Sequence, residues 1–330
     1  MRLVLVVSIR QNKEVMKSRQ HLKPLKPGDL IDIVAPGSAT NFEFLQNGIV
    51  YLEAQGFKTR YPKEIIKPLL FLAQSDEFRF QSLKKALYAK DSKAIWCLRG
   101  GYGSIRLLPF LDKLKKPSMQ KLLIGMSDIT SLHLYLNQKW NWPTLHAPLL
   151  DRIGKNLIQT DNLQEVLKVI TEPNPVTFHN LRALNKLALG KKNIRGKVRG
   201  GNLVVVGSSL GTKYQIDSTD CILFFEEIGE RAYRVDRILQ QCGQAGVFRK
   251  AKAVVFGDFT DCLEPDQKNL IPETLKQFFE KQKIPAFFGL QAGHDIIQRP
   301  IFFNTEAQLS CGPDAKMLVY SGYEIQQSRK

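Results

Sequence analysis

Short apolar runs, each too brief for a helix and separated by helix-length segments, recur through the first half of this chain. Leu30-Ile31-Asp32-Ile33-Val34-Ala35, Phe57 to Tyr61, Ala94-Ile95-Trp96-Cys97-Leu98 and Leu122-Leu123-Ile124 read as strands. Segments 41–55 and 79–89 carry apolar side chains at helical spacing, and Gly56 stands where the first helix should end. A strand without polar alternation has both faces covered, the condition of a parallel sheet flanked by helices. A second set of runs, Asn202 to Val206, Cys221 to Phe225 and Ala253 to Phe256, is joined by helical patterns near 232–242 and 272–281, with strands thereafter. The expected class is α/β: a Rossmann-like parallel-sheet N-terminal domain and a smaller, strand-rich α+β C-terminal domain. At 330 residues two domains are expected. The boundaries read as a basic extension over 1–24, the α/β domain over 25–165, a Pro- and Gly-containing connection over 166–200, and the C-terminal domain over 201–330.

Lys and Arg number 48 against 31 Asp and Glu, a formal net charge of +17, which suits an anionic partner. Residues 1–30 hold seven basic and two acidic side chains; residues 181–200 hold seven basic and none acidic. The second cluster (Arg182, Lys186, Lys191, Lys192, Arg195, Lys197, Arg199) is interleaved with Gly190, Gly196 and Gly200 rather than with aromatic residues. It reads as a solvated linker, not a base-stacking platform, and nucleic acid is not an expected partner. The run Leu3–Ile9 is too short to span a bilayer and lacks a cleavage site, so neither stable membrane insertion nor export is expected; Met16 is an alternative start. Cys97, Cys221, Cys242, Cys262 and Cys311 form no CxxC spacing, which argues against zinc or iron–sulfur chemistry and suits a reducing, cytoplasmic location.

Two loops carry the candidate chemistry. Arg99-Gly100-Gly101-Tyr102-Gly103-Ser104 follows a strand, and its glycines permit a sharp turn with amides free to face an anion. Neither GxGxxG nor the P-loop Lys-Ser/Thr pair is present, so the loop is a tight turn or the backbone wall of an active site. In Lys121 to His133 a strand runs through Gly125 to Ser127, and a helix with Ile129, Leu132, Leu134 and Leu136 follows. Ser127 thus falls at the carboxyl end of a sheet strand, where open α/β sheets bind ligands, and before a helix N-terminus that favours negative charge. The local sequence is GxSD rather than the GxSxG of nucleophile elbows. Ser127 is a nucleophile, or Ser127 or Asp128 caps the helix.

A serine nucleophile needs a base and an orienting acid. His21 lies in the basic leader and His179 in the connection; His133 shares the helix after Ser127 and should face the core. His146 follows Trp140, Trp142 and Pro143 at a pocket rim, and His294 lies in a glycine-flanked loop. Acids gather from Glu226 to Asp236, either as a strand-end catalytic acid or as a surface ion-pair network. The order Ser127, Glu226, His294 sets the acid between nucleophile and base, as in α/β-hydrolases, and requires a cleft between the domains.

Taken together, these segments resemble the LD-carboxypeptidase family of serine peptidases, which includes murein tetrapeptide carboxypeptidases and the microcin-immunity amidases. The resemblance is carried, in order, by IDIVAPGS (31–38), LRGGYGSIRLLPFLD (98–112), IGMSDITSLH (124–133), GNLVVVGSSLGT (201–212), EEIGERAYRVDRIL (226–239) and GLQAGH (289–294). It implies a Ser-Glu-His triad split between the two domains, with Ser127 matching the nucleophile, Glu226 the acid and His294 the base. Amides of Asp128 and of Gly100 or Gly101 are the expected oxyanion donors, and Arg99, Tyr102 and Arg234 the expected substrate contacts. No metal or organic cofactor is implied. The implied reaction releases D-alanine from L-Ala-γ-D-Glu-meso-diaminopimelate-D-Ala in cell-wall recycling. The alternatives are an amidase that hydrolyses a peptidyl-nucleotide antibiotic, with Trp140 and Trp142 as base stackers, and a muropeptide-binding protein without hydrolysis. Many members are homodimers. Residues before about 20 lie outside the resemblance. Arg299-Pro300-Ile301-Phe302-Phe303-Asn304 stands where members tend to have a Pro-Leu-Gly turn, a departure that bears on substrate more than on catalysis.

Overall fold

The computed structural model describes residues 22–323. Most of the expected basic extension, with His21 and the alternative start at Met16, lies outside them. Five strands come from the first half of the chain: β1 (Leu30–Val34), β2 (Lys58–Arg60), β3 (Ser92–Cys97), β4 (Leu122–Gly125) and β5 (Thr144–His146). They pair in parallel in the order β5-β4-β3-β1-β2. Ile31, Ile33, Trp96 and Ile124 pack into one core, and Val34, Ile95, Cys97 and Leu123 into another. Two cores on opposite faces account for the largely apolar central strands β1, β3 and β4. Helices Phe42–Ala54 and Leu150–Gly154 cover the first face; Asp76–Tyr88 and Thr130–Lys139 cover the second.

Beyond β5 the chain builds a closed barrel. Its strands are β6 (Val176–Ala183), β7 (Asn193–Asn202), β8 (Cys221–Ile228), β9 (Ala253–Thr260), β10 (Ala286–Phe288), β12 (Glu306–Ser310) and β13 (Ala315–Val319), in the order β10-β6-β13-β12-β7-β8-β9. In β8, Ile222 and Phe224 pack with the strand residues Val198, Val255, Leu309 and Met317. Leu223 and Phe225 pack instead with Leu239 and Phe279 of helices Ala232–Gln244 and Ile271–Phe279. Between β10 and β12 the chain returns to the first sheet: β11 (Ile301–Phe303) pairs antiparallel with β5 and covers its edge. The departing segment 299–304 is therefore the strand that ties the two sheets together. Its Arg299 donates to Glu165 (2.6 Å) and to the Thr177 carbonyl (3.0 Å), and lies 4.6 Å over the Phe178 ring.

Two expectations change. Residues 166–200 are not a linker: they hold the end of helix Thr160–Thr171, all of β6 and most of β7, so the barrel begins near 176 rather than at 201. Along the middle of β7, Gly196, Val198 and Gly200 are buried, with Arg195, Lys197 and Arg199 between them. Glycine in the inward positions hides the two-residue period, and the outward row supplies the basic charge. The segment read as a strand over 202–206 is helix Leu203–Ser209. Asn202 caps it by accepting from the Val205 amide (3.2 Å), and the Glu227 carboxylate accepts from the Val204 amide (2.8 Å). These contacts at the helix N-terminus outweigh the strand preference of three valines.

Candidate active site

At the end of β4 the backbone turns sharply, and Ser127 adopts φ +64°, a left-handed conformation unusual outside glycine. Neither Ser127 nor Asp128 caps the helix that follows: the capping positions are Met126 and Ile129, and neither has a side-chain cap. The buried Asp128 carboxylate instead accepts from the amide (2.8 Å) and hydroxyl (2.6 Å) of Ser104, anchoring the glycine-rich loop to the elbow. Burial raises the Asp128 pKa, against the pull of these donors. A Cβ on Gly100 would lie 2.9 Å from Ser127 Cβ and 3.1 Å from its Oγ. The loop is thus a backbone wall against Ser127 that only glycine fits. The Gly100 carbonyl accepts from the Ser38 amide (2.8 Å), so the trans peptide turns the Gly101 N–H to the opposite side.

The barrel meets this elbow through two strands. Thr130, three residues after Ser127, accepts a hydrogen bond from the Asn202 amide (2.9 Å) at the end of β7. Gly201 lies so close to Thr130 Oγ1 that no side chain fits there, and it has φ +127°. In the β7–β8 register Asn202 is the partner of Glu226. Glu226 is completely buried, and its Oε2 lies 2.6 Å from His294 Nδ1, in the loop after β10. Burial pushes its pKa up, but His294 and His146 outweigh this and hold it down, to about 2, so it is a carboxylate at neutral pH. The adjacent Glu227 points the other way, as strand alternation requires. It accepts from Asn202 Nδ2 (2.8 Å) and the amides of Val204 and Ile228 (2.8 and 2.9 Å). Burial and the charge of Glu226 push its pKa up to about 7. Of the two glutamates, one meets a histidine and the other holds a helix.

The other candidates fall as follows. Arg99 is half-buried and donates to the Ala39 carbonyl. Tyr102 is 47% exposed, its ring edge-on to Phe71 at 5.6 Å. Arg234 is exposed, with Glu230 (3.4 Å) and the Tyr233 hydroxyl (3.1 Å) as partners, so this stretch is in part the surface ion-pair network. His133 is buried, donating from Nε2 to the Gly125 carbonyl (2.9 Å), and His179 is exposed on β6. His146 is not on a rim: it is 1% exposed on β5, with Nε2 4.0 Å from Glu226 Oε1. Trp140 and Trp142 pack against each other in the core, 5% and 1% exposed.

Sequence reasoning missed two further residues here. Arg152 donates from Nη2 to the carbonyls of His294 (2.8 Å) and Asp295 (3.4 Å), bracing the histidine loop. Asp258, at the end of β9, packs against Gly293; burial, Asp295 and Glu226 push its pKa up to about 7. Nothing short of the folded loop marks either in the sequence. A cavity of about 230 Å³ lies at the far edge of the sheet, lined by Asp32, Arg60, Phe78 and Lys85 among others, and none of Ser127, Glu226 or His294 lines it. Among the described residues no group of three or more His, Cys, Asp or Glu is arranged to hold a metal ion, and no helix is long and apolar enough to cross a membrane.

A family model described as the LD-carboxypeptidase N-terminal domain matches residues 31–147, and one described as its C-terminal domain matches residues 195–309. A Rickettsia conorii protein named as a carboxypeptidase is 38% identical over 252 residues, covering 76% of this chain and 78% of its own. The chain belongs to the LD-carboxypeptidase family. As a member it is a serine-type hydrolase acting on small peptide or peptidyl substrates. The crystal structure of muramoyltetrapeptide carboxypeptidase from Oxalobacter formigenes superposes on this LD-carboxypeptidase with a TM-score of 0.78 at 27% identity, covering 90% of this chain and all of the other. The microcin C7 self-immunity protein of Escherichia coli is 25% identical, over 82% of this chain and 87% of its own.

Proposed function

We propose that this LD-carboxypeptidase releases the terminal D-alanine from a murein tetrapeptide, with Ser127 as nucleophile, His294 as base and Glu226 as the orienting acid. The observation that carries the reading is the 2.6 Å Glu226–His294 pair, joined through Asn202 and Thr130 to a left-handed serine elbow. Glu226 accepts from His294 Nδ1–H and so leaves Nε2 as the basic nitrogen. His294 takes the Ser127 proton as Oγ attacks the scissile carbonyl, and the Asp128 and Gly101 amides receive the oxyanion. His294 then protonates the departing D-alanine amine, and water releases the acyl group with His294 again as base. Tyr102 and Arg99, on the loop against Ser127, are the proposed substrate contacts, and the catalytic roles call on no metal or organic cofactor. The likeness to a muramoyltetrapeptide carboxypeptidase supports this substrate. The buried faces of Trp140 and Trp142 offer no platform for a nucleobase, which weighs against the peptidyl-nucleotide alternative.

The test is mass spectrometry of L-Ala-γ-D-Glu-meso-diaminopimelate-D-Ala after incubation with wild type and with Ser127→Ala. The expected result is tripeptide and free D-alanine from wild type alone. Turnover of an aspartyl-nucleotide conjugate in preference to the tetrapeptide would replace the substrate, and tetrapeptide binding without turnover would replace the activity.

A further inference from the structure

We infer that His146 is a positioning residue of the active site, holding the second oxygen of Glu226 so that the first stays aimed at His294. The inference rests on the roles proposed above for Glu226 and His294. Glu226 Oε2 is taken by His294, whereas Oε1 is buried with no hydrogen-bond partner among the described residues. Four ångströms from Oε1 lies Nε2 of His146, itself 1% exposed, with both ring nitrogens equally unpartnered. Burying a carboxylate oxygen without a donor is costly, and so is burying an imidazole N–H without an acceptor. The two vacant partners face one another, and a shift of about 1 Å brings them to hydrogen-bond length, the kind of tightening that active sites undergo when substrate binds.

The surroundings keep the ring where it is needed. His146 meets the Phe224 ring edge-on at 5.3 Å and the Phe303 ring at 5.5 Å, so two aromatic neighbours from β8 and β11 restrict its rotation. Along β5 it is the register partner of Gly125, two residues before Ser127, and of Ile301 in β11. The sheet that carries the nucleophile therefore also reaches the barrel's acid. A carboxylate held at one oxygen can still swing about its last bond; a donor at Oε1 fixes its plane and keeps Oε2 on the Nδ1–H of His294. The proton passes from Ser127 to His294, and the N–H of His146 keeps the negative charge of Glu226 in place meanwhile.

The experiment measures kcat and KM on the murein tetrapeptide for His146→Gln, His146→Asn and His146→Phe, each with its melting temperature. Glutamine carries an amide nitrogen at about the reach of Nε2, asparagine one at about that of Nδ1, and phenylalanine keeps only the ring. The expected result is a fall in kcat of about tenfold or more for Asn and Phe, the usual cost of losing a group that orients a working one, with KM little changed and Gln near wild type. The Gln and Asn pair decides the matter even where His146→Phe does not fold. In a Glu226→Gln background the loss from His146→Asn should vanish. Equal activity of Gln and Asn, both near wild type or both lowered, overturns the role of His146. If Glu226→Gln itself retains full activity, it is the triad assignment that fails.

Discussion

Ser127 is presented by a few consecutive residues: a buried strand, Gly125, a left-handed turn and the helix that follows. Glu226 and His294 are 68 positions apart and meet only because β7, β8 and β9 run side by side in the barrel and the loop after β10 folds back over them. The first arrangement is local and the second exists only once the barrel has closed. On the roles proposed here, a candidate nucleophile stands in a short window of sequence, whereas its base and acid require the topology.

The sharpest way to break this comparison is at the contact between the two loops of the sheet domain. Gly100→Ala should lower kcat on the tetrapeptide by roughly 100-fold, because the new methyl must displace Ser127 from its attacking position, while circular dichroism and the melting temperature stay near wild type. Unaltered kcat would remove the glycine loop from the site.

A smaller effect separates the halves by acid sensitivity. Burial holds the His133 pKa down to about 3, against an ordinary 6.5. The unfolded chain therefore binds a proton that the folded one refuses, and stability present above pH 6.5 is lost as pH falls from there towards 3. Glu226, also lowered, loses its contribution only below pH 4.5, towards 2. Glu227 and Asp258, both raised to about 7, act with the opposite sign: the stability they add at low pH is lost as pH rises towards 7. Comparing wild type with His133→Phe cancels those shared terms. Urea unfolding should show wild type losing about 1.2 kcal/mol relative to the variant as pH falls from 6 to 5. Parallel pH profiles would mean that His133 titrates normally in the fold.

The sheet domain was legible because its central strands β1, β3 and β4 are largely apolar on both sides, and the elbow because a strand, a glycine, a serine and a helix follow one another in fixed order. The resemblance of six ordered segments carried the expectation for Glu226 and His294; local sequence offered a run of acids from Glu226 to Asp236, and in the fold Glu226 faces His294 while Glu227 holds Asn202. The barrel strand β7 was not legible, since Gly196 and Gly200 occupy inward positions where a period of two would show an apolar side chain. His146 looked like a rim residue beside two tryptophans because nothing in its neighbourhood announces that β11 arrives from 155 residues further on and buries it.

The central claim is that a serine from the sheet and a Glu–His pair from the barrel act as one unit. It is tested most directly by tetrapeptide turnover in Ser127→Ala, Glu226→Ala and His294→Ala, singly and combined. Groups that work as a unit are lost as a unit. The account predicts that Ser127→Ala and His294→Ala each cost about 10⁴-fold or more, and that the triple variant is no worse than Ser127→Ala alone. Losses that multiply across the three sites, or a Ser127→Ala enzyme that still releases D-alanine, would contradict it.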